Sequence, residues 1–208
     1  MLQSWAEWSR HAGVSRETES DLSAYVAELR KWNAAINLIS RSSMGVLWER
    51  HILDSAQLLP LFPDGSRDYL DIGTGAGFPG LVIAILARDR APKLNTTLME
   101  SDRRKAAFLR QVISLLGLPA NVVAQRIEAA EPVGADILTA RALSPLPRLL
   151  DMTARHLRPG GRAFFPKGSG WRAEVGDALA DWRFSVQNHP SITEQSGVVL
   201  EIGDLERA

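Results

Sequence analysis

The stretch Tyr69-Leu-Asp-Ile-Gly-Thr-Gly-Ala-Gly-Phe-Pro-Gly80 constrains this chain more than any other. It reads as a short buried strand ending at Asp71–Ile72, a glycine loop, and a helix opening near Pro79. Glycine adopts positive φ at little cost and lets a ligand approach the backbone. A helix start beyond such a loop offers unpaired N–H groups to polar ligand atoms. Pro79 suits the first helical turn, where a missing N–H costs nothing. A tight turn with no ligand is the bland alternative.

The pattern around the loop sets the fold class. After residue 65, short apolar runs alternate with helical periodicity. Strands are expected at 68–72, 95–100, 121–125, 135–140 and 161–166, and helices at 79–88, 103–116 and 145–157. Such alternation predicts βαβ units, hence an α/β, Rossmann-like, mostly parallel sheet with helices on both faces. Ser144–Pro145 reads as a helix N-cap and first position, and Pro159-Gly-Gly161 as a turn. The tail predicts a helix over Glu174–Leu179 and a closing pair of strands, Phe184–Gln187 and Gly197–Ile202.

Residues 1–64 look different, a helical extension packed with residues 65–208 into one globular unit. Ser4-Trp-Ala-Glu7 has capping-box spacing and Gly13 ends that helix. A second helix is predicted over Ser15–Asn33, with Leu22, Tyr25, Val26, Leu29 and Trp32 at helical spacing. A third is predicted over Ser43–Leu59, ended by Pro60, Pro63 and Gly65.

Composition removes several functions. With no cysteine there are no disulfides or thiolate metal sites. Met-Leu-Gln-Ser-Trp-Ala-Glu-Trp lacks a basic n-region and an apolar h-region, so no signal peptide is expected. Leu81–Ala87 is too short to span a membrane, so a cytoplasmic protein is expected. A net charge of +0 does not advertise a nucleic-acid partner, although a local basic face is enough for one.

The loop fits two ligands. Gly75-x-Gly77-x-x-Gly80 satisfies the dinucleotide fingerprint. Asp71-x-Gly73-x-Gly75-x-Gly77 fits the version that binds S-adenosylmethionine. Asp71 suits that cofactor's ammonium, directly or through water, and would repel a pyrophosphate. Glu100, followed by Ser101 after the second strand, is placed to accept from ribose hydroxyls of either cofactor. After the third strand, Ile127 and Glu128 fall where an adenine would lie. No Tyr-x-x-x-Lys pair supports a dehydrogenase, and a helical segment precedes the fingerprint. A methyltransferase is the leading reading, and a nicotinamide dehydrogenase or a non-catalytic RNA-binding module are the alternatives.

Asn37-Leu-Ile, His51-Ile-Leu-Asp54-Ser55, Asp71-Ile-Gly-Thr-Gly-Ala-Gly-Phe-Pro-Gly80, Arg103-Arg-Lys-Ala-Ala-Phe-Leu-Arg110, Ala140-Arg-Ala142 and Lys167-Gly168 occur in that order. Together they resemble the RsmG/GidB family of small-subunit rRNA guanine-N7 methyltransferases. The resemblance implies a class I S-adenosylmethionine-dependent fold, with S-adenosyl-L-homocysteine as product. It implies 16S rRNA as substrate, in the helix-eighteen decoding loop, either free or in an assembled or assembling small subunit. Carried over by motif, cofactor contacts fall on Gly73, Phe78, Ile127, Glu128 and Arg141, with Glu100 at the ribose. The family usually has an aliphatic residue where this chain has Phe78. A methyltransferase acting on another RNA, a protein or a small molecule remains the nearest alternative. The oligomeric state is expected to be monomeric.

Guanine N7 has an in-plane lone pair and no proton, so transfer needs alignment rather than a general base. Consistent with that, no triad is visible. Ala140-Arg-Ala-Leu-Ser-Pro145 stands where amine-directed enzymes often carry Asn/Asp-Pro-Pro-aromatic. Arg141 there is expected to touch the cofactor carboxylate, guanine O6 or a phosphate, or else to form a structural salt bridge. Arg103, Arg104, Lys105, Arg110 and Lys167 are candidate phosphate contacts, with a solvated helix face as the alternative. His51, Asp54 and Ser55, at i, i+3 and i+4, share a helix face, either as a buried network or at the pocket mouth. Without further ligands they are a poor metal site. Asn37 is expected to cap a helix end or to touch substrate.

Overall fold

The computed structural model describes residues 4–208. The reading of the first residues as lacking a signal peptide therefore falls partly on positions outside the described residues. No helix among the described residues is long and apolar enough to cross a membrane.

The elements before the sheet are all helical. Helix α1 (Trp5–Ala12) is capped by Ser4 and closed by Gly13 in the left-handed conformation. Helix α2 (Arg16–Asn33) is capped by Ser15, whose Oγ accepts from Thr18 N at 3.1 Å, and buries Leu22, Tyr25, Val26 and Leu29. The expected third helix is broken. It runs as α3 (Arg41–Met44), a π-helical turn over Trp48–Leu53, α4 (Asp54–Ala56) and a 3₁₀ turn over Leu59–Leu61. Gly45 ends the first piece, and the wider i→i+5 turn changes which side chains share a face.

The sheet comprises β1 (Asp68–Ile72), β2 (Asn95–Met99), β3 (Ala120–Val123), β4 (Ala135–Thr139), β5 (Leu157–Lys167), β6 (Trp182–Pro190) and β7 (Val198–Arg207). Its order is β3-β2-β1-β4-β5-β7-β6. The first five strands are parallel, while β7 runs antiparallel between β5 and β6. In the six-stranded dinucleotide fold the strand beyond β5 is parallel, so the antiparallel β7 separates the two architectures. The helices are α5 (Gly80–Arg90), α6 (Arg103–Leu116), α7 (Leu146–His156) and α8 (Trp171–Ala178).

Helix α5 is buried at every position from Gly80 to Ala87, because the sheet covers one side and the N-terminal helices the other. A helix apolar all round needs such double cover. One continuous core accordingly joins Trp8, Leu22, Tyr25 and Leu29 to Leu81, Ile85, Phe108 and Phe164.

Two local expectations are corrected. Pro159-Gly-Gly161 is not a turn ahead of the strand. It bulges inside β5, whose register with β4 slips between Ala135↔Leu157 and Ile137↔Arg162. Ser144 does not cap α7 either. The helix begins at Leu146, whose N–H donates to Glu174 Oε2 at 2.8 Å, so a carboxylate from α8 supplies the cap.

A cleft at the switch point of the sheet

The strand order reverses between β1 and β4, and ligands in open α/β sheets bind at the carboxyl ends of strands there. A cleft of about 1030 Å³ opens at that point. Its floor is the loop Gly73–Phe78, one wall is Arg141–Pro145 after β4, and another is Pro166–Gly168 at the end of β5. His51 and Asp54 of the extension and Ser191–Glu194 of the tail complete the rim.

The loop is built from backbone. Gly73, Gly75 and Gly77 have φ of 63°, 57° and 99°, values at which a Cβ is strained. At Gly73 and Gly77 a Cβ would also press on Leu143 and Leu81, whereas at Gly75 it would meet only the Gly73 carbonyl, at 3.9 Å. Gly75 thus leaves open space for a ligand. Tyr25 of α2 braces the loop from behind, its hydroxyl donating to Ala76 O at 2.7 Å.

Asp71 lies beneath the loop, fully buried. Its Oδ2 accepts from Gly80 N at 3.0 Å and its Oδ1 from the Thr139 hydroxyl at 2.7 Å. Burial pushes its carboxyl up to about 6, with the hydrogen bonds from Thr139 and Gly80 opposing. It does not line the cleft, so a direct contact with the cofactor ammonium is corrected to a supporting role. Gly77 is likewise a turn residue and not part of the lining. Glu100 pins the loop, accepting from Gly75 N at 2.9 Å and, through its other oxygen, from Asp102 N at 2.8 Å. These two N–H groups use two of the roughly four lone-pair sites of an ionised carboxylate, and Glu100 itself lies outside the cleft lining.

Ser101 is exposed beside Glu100 and has no place in the lining. Ile127 is buried against Leu70, Met99 and Leu138. Glu128 pairs with Arg148 at 3.3 Å on the surface. Both lie on the β2–β3 side of the loop, outside the enclosed cleft.

The rim is built from side chains. Arg141 is tied to the extension by Nη1 donating to Arg50 O at 3.2 Å and to Asp54 Oδ2 at 3.3 Å. Its Nη2 reaches His51 Nδ1 at 2.7 Å, and its guanidinium sits 5.0 Å from the Phe78 ring centre. The salt-bridge alternative for Arg141 therefore exists in the structure, although the side chain still lines the cleft. Asp54 Oδ1 accepts from the Thr193 hydroxyl at 2.8 Å and from Gln57 Nε2 at 2.9 Å. Gln57 Oε1 in turn accepts from Ile192 N at 2.9 Å. Asp54 and Gln57 thus clasp the tail turn onto the extension.

Ser55 is not at the pocket mouth. Its hydroxyl donates to the carbonyl four residues back, His51 O, at 2.6 Å inside the core, as the buried-network alternative expects. Asn37 is exposed and caps nothing. Asn33 braces the helix end instead, its Oδ1 accepting from Leu38 N and Ile39 N at 2.8 and 2.9 Å.

The candidate phosphate contacts are scattered. Lys167 lines the cleft, but it pairs with Glu174 at 2.7 Å and donates to Ser144 O at 3.2 Å, leaving one of three protons unassigned. Arg103, Arg104 and Lys105 occupy the first turn of α6, where Asp102 caps the helix. Arg110 faces β3, donating to Val122 O at 3.4 Å. None of these four lines the cleft.

Gln57, Thr193 and Glu174 are site residues absent from the expectations. Each acts through a partner 28 to 139 positions away, which no local spacing reveals.

Known proteins were compared with this chain. The family described as rRNA small subunit methyltransferase G matches residues 18–200. A ribosomal RNA small subunit methyltransferase G from Rhodospirillum centenum is 52% identical over 193 residues, covering 93% of this chain and 87% of the relative. Its counterpart in a Ruegeria species is 47% identical, covering 93% and 94%. Among solved structures, the Bacillus cereus O-methyltransferase in complex with SAH superposes with a TM-score of 0.56 at 15% identity, covering 87% of this chain and 91% of that one. A SAM-dependent methyltransferase from Aquifex aeolicus gives 0.57 at 16% identity, covering 85% and 98%. At such identities these two establish the fold alone.

Proposed function

The chain belongs to the rRNA small subunit methyltransferase G family, and from that footing we propose that it transfers a methyl group from S-adenosylmethionine to N7 of a guanosine in 16S rRNA. The observation that carries this reading is the family match over residues 18–200 of a chain whose glycine loop floors a cleft at the switch point. The antiparallel β7 argues against the dehydrogenase alternative.

The residues fit the cofactor. Gly73 and Gly75 offer bare backbone, the free lone pairs of Glu100 suit ribose hydroxyls, and we assign Ile127 and Glu128, just beyond the cleft, to the adenine. S-adenosylmethionine supplies a methyl group already activated by its sulfonium. The chain's own work is therefore alignment. Phe78, stacked on His51 and with the Arg141 guanidinium 5.0 Å from its ring centre, covers the loop side of the cleft. Arg141, fixed by Asp54 and His51, presents its guanidinium to whichever oxygen lies nearest. Asp71 keeps the loop in shape from below.

We assign the helical residues before β1 the task of carrying the rim, and the sheet the task of carrying the loop. Arg103 and Arg104, exposed at the same strand ends, are placed to meet RNA phosphate beyond the cleft. We take the substrate to be the small subunit or its precursor, in the cytoplasm, and the enzyme to act as a monomer. Labelled cofactor incubated with small subunits lacking the modification tests the assignment. Label released by chain cleavage at N7-methylguanosine supports it, and label on an exocyclic amine, or none on RNA, overturns it.

A further inference from the structure

His51 sits where the π-helical turn meets the glycine loop. Its ring stacks on Phe78, with centroids 4.8 Å apart and planes at 19°. Arg141 Nη2 lies 2.7 Å from Nδ1. A guanidinium has only protons to offer, so Nδ1 must be the acceptor. The single proton of the neutral ring then resides on Nε2. A second proton is disfavoured: burial, together with the charges of Arg141 and Arg50, lowers the imidazole to about 4.

This leaves one N–H with no use inside the protein. Nε2 is buried and has no hydrogen-bond partner among the described residues, although His51 lines the cleft. The residue as a whole is only 8% exposed. A buried donor left unpaired is destabilising, and native sites seldom keep one without a purpose. The surroundings favour an electron-rich partner, since the positive charges of Arg141 and Arg50 both act on the ring. Phe78 and Arg141 hold the ring in one tautomer and one orientation.

We propose that His51 is a ligand-binding residue whose Nε2–H donates to an acceptor oxygen held in the loaded cleft. Two oxygens share that chemistry, the carboxylate of the cofactor's amino acid head and O6 of the target guanine. At O6 the neutral imidazole has a further merit. It leaves the N7 lone pair free and does not repel the positive charge that guanine acquires on methylation. The inference rests on the methyltransferase reading.

The test is nuclear magnetic resonance on protein labelled with ¹⁵N-histidine. The chain has four histidines, and His51→Phe assigns the signal. The free protein is expected to show His51 as the Nε2–H tautomer. Adding S-adenosylhomocysteine shifts that N–H if the carboxylate is the partner. A subsequent addition of GMP shifts it if O6 is the partner. An Nδ1–H tautomer, or an N–H silent to both ligands, overturns the proposal. Calorimetry on the wild type separates the two levels. S-adenosylhomocysteine that binds while His51 stays silent both to it and to the GMP added afterwards sinks this inference alone, and its failure to bind overturns the methyltransferase reading as well. His51→Phe keeps the stack on Phe78 and loses the N–H, so binding of the responsive ligand should weaken about tenfold. His51→Gln, which restores an amide N–H, should recover most of that loss.

Discussion

The loop and the rim of the cleft are built on opposite plans. Gly73–Phe78 shapes its side from backbone, with three glycines at positive φ and Asp71 and Glu100 holding N–H groups in place. The rim is made of side chains from three distant segments, with His51 and Asp54 from the extension, Arg141 from the sheet and Thr193 from the tail. The difference teaches where tolerance lies. A backbone-built loop is broken by adding one carbon, because conformation itself is the requirement. A rim of side chains keeps its fold when a partner is removed and loses alignment instead.

The largest expected effect is at Gly80, the first residue of α5, where the chain leaves the loop and packs on Asp71 and Leu98. A Cβ on Gly80 would lie 2.3 Å from Leu98 Cδ2 and 2.7 Å from Asp71 Oδ2. Gly80→Ala should therefore overpack the site and disturb the Asp71 bond. The expected destabilisation is roughly 3 kcal/mol or more, read from urea unfolding. A loss below about 1 kcal/mol would mean that the loop yields as easily as the rim, and the contrast would fail.

Titration sharpens the contrast, because each side carries one group shifted in the opposite protonation sense. The Asp71 carboxyl is raised from 3.8 to about 6, so the folded state holds its proton more tightly. Its contribution is fully present below pH 3.8 and is lost as pH rises through about 6. Two units correspond to roughly 3 kcal/mol. His51 is lowered from 6.5 to about 4, so its contribution is present above 6.5 and is lost as pH falls toward 4. The two slopes oppose one another between pH 4 and 6. Relative to wild type, Asp71→Asn should gain stability as pH rises through that window, and His51→Phe should lose it. Stability differences that stay flat with pH in both variants would contradict the assignment.

Arg141→Ala tests the rim directly. Methyl transfer should fall about 100-fold, as expected when a positioning contact is lost, while the melting temperature changes little. Cofactor affinity is the deciding measurement. If affinity is unchanged, the guanidinium does not hold the cofactor carboxylate. If transfer is undiminished, Arg141 is only the bridge to Asp54 and the rim has no functional content there.

The same contrast explains what the sequence made legible. The loop, its strand and α6 were readable because glycine spacing, caps and apolar periodicity are local; α6 spans Arg103–Leu116 as expected. The topology followed from alternation, including the closing pair β6–β7. The helix caps read at Asn37 and Ser144 were misplaced for one reason: each was read from local spacing, where Asn33 and Glu174 decided the outcome. Glycine announces a conformational need at its own position. A carboxylate such as Glu174 gives no sign that its partners are Lys167 and the start of α7.

The smallest effect is expected at the clasp between extension and tail. Gln57 accepts from Ile192 N and donates to Asp54, tying the tail turn to the group that fixes Arg141. Gln57→Met keeps the volume and removes both bonds, so the turn should loosen at a cost of about 1 kcal/mol. The turn lines the cleft opposite the loop, so its loosening should raise the KM for the ribosomal substrate a few-fold. Binding of S-adenosylhomocysteine should stay unchanged, because the bare backbone of Gly73 and Gly75 does not depend on the tail. Equal weakening of both ligands would mean that the loop senses the rim, and the two plans would have to be treated as one coupled structure.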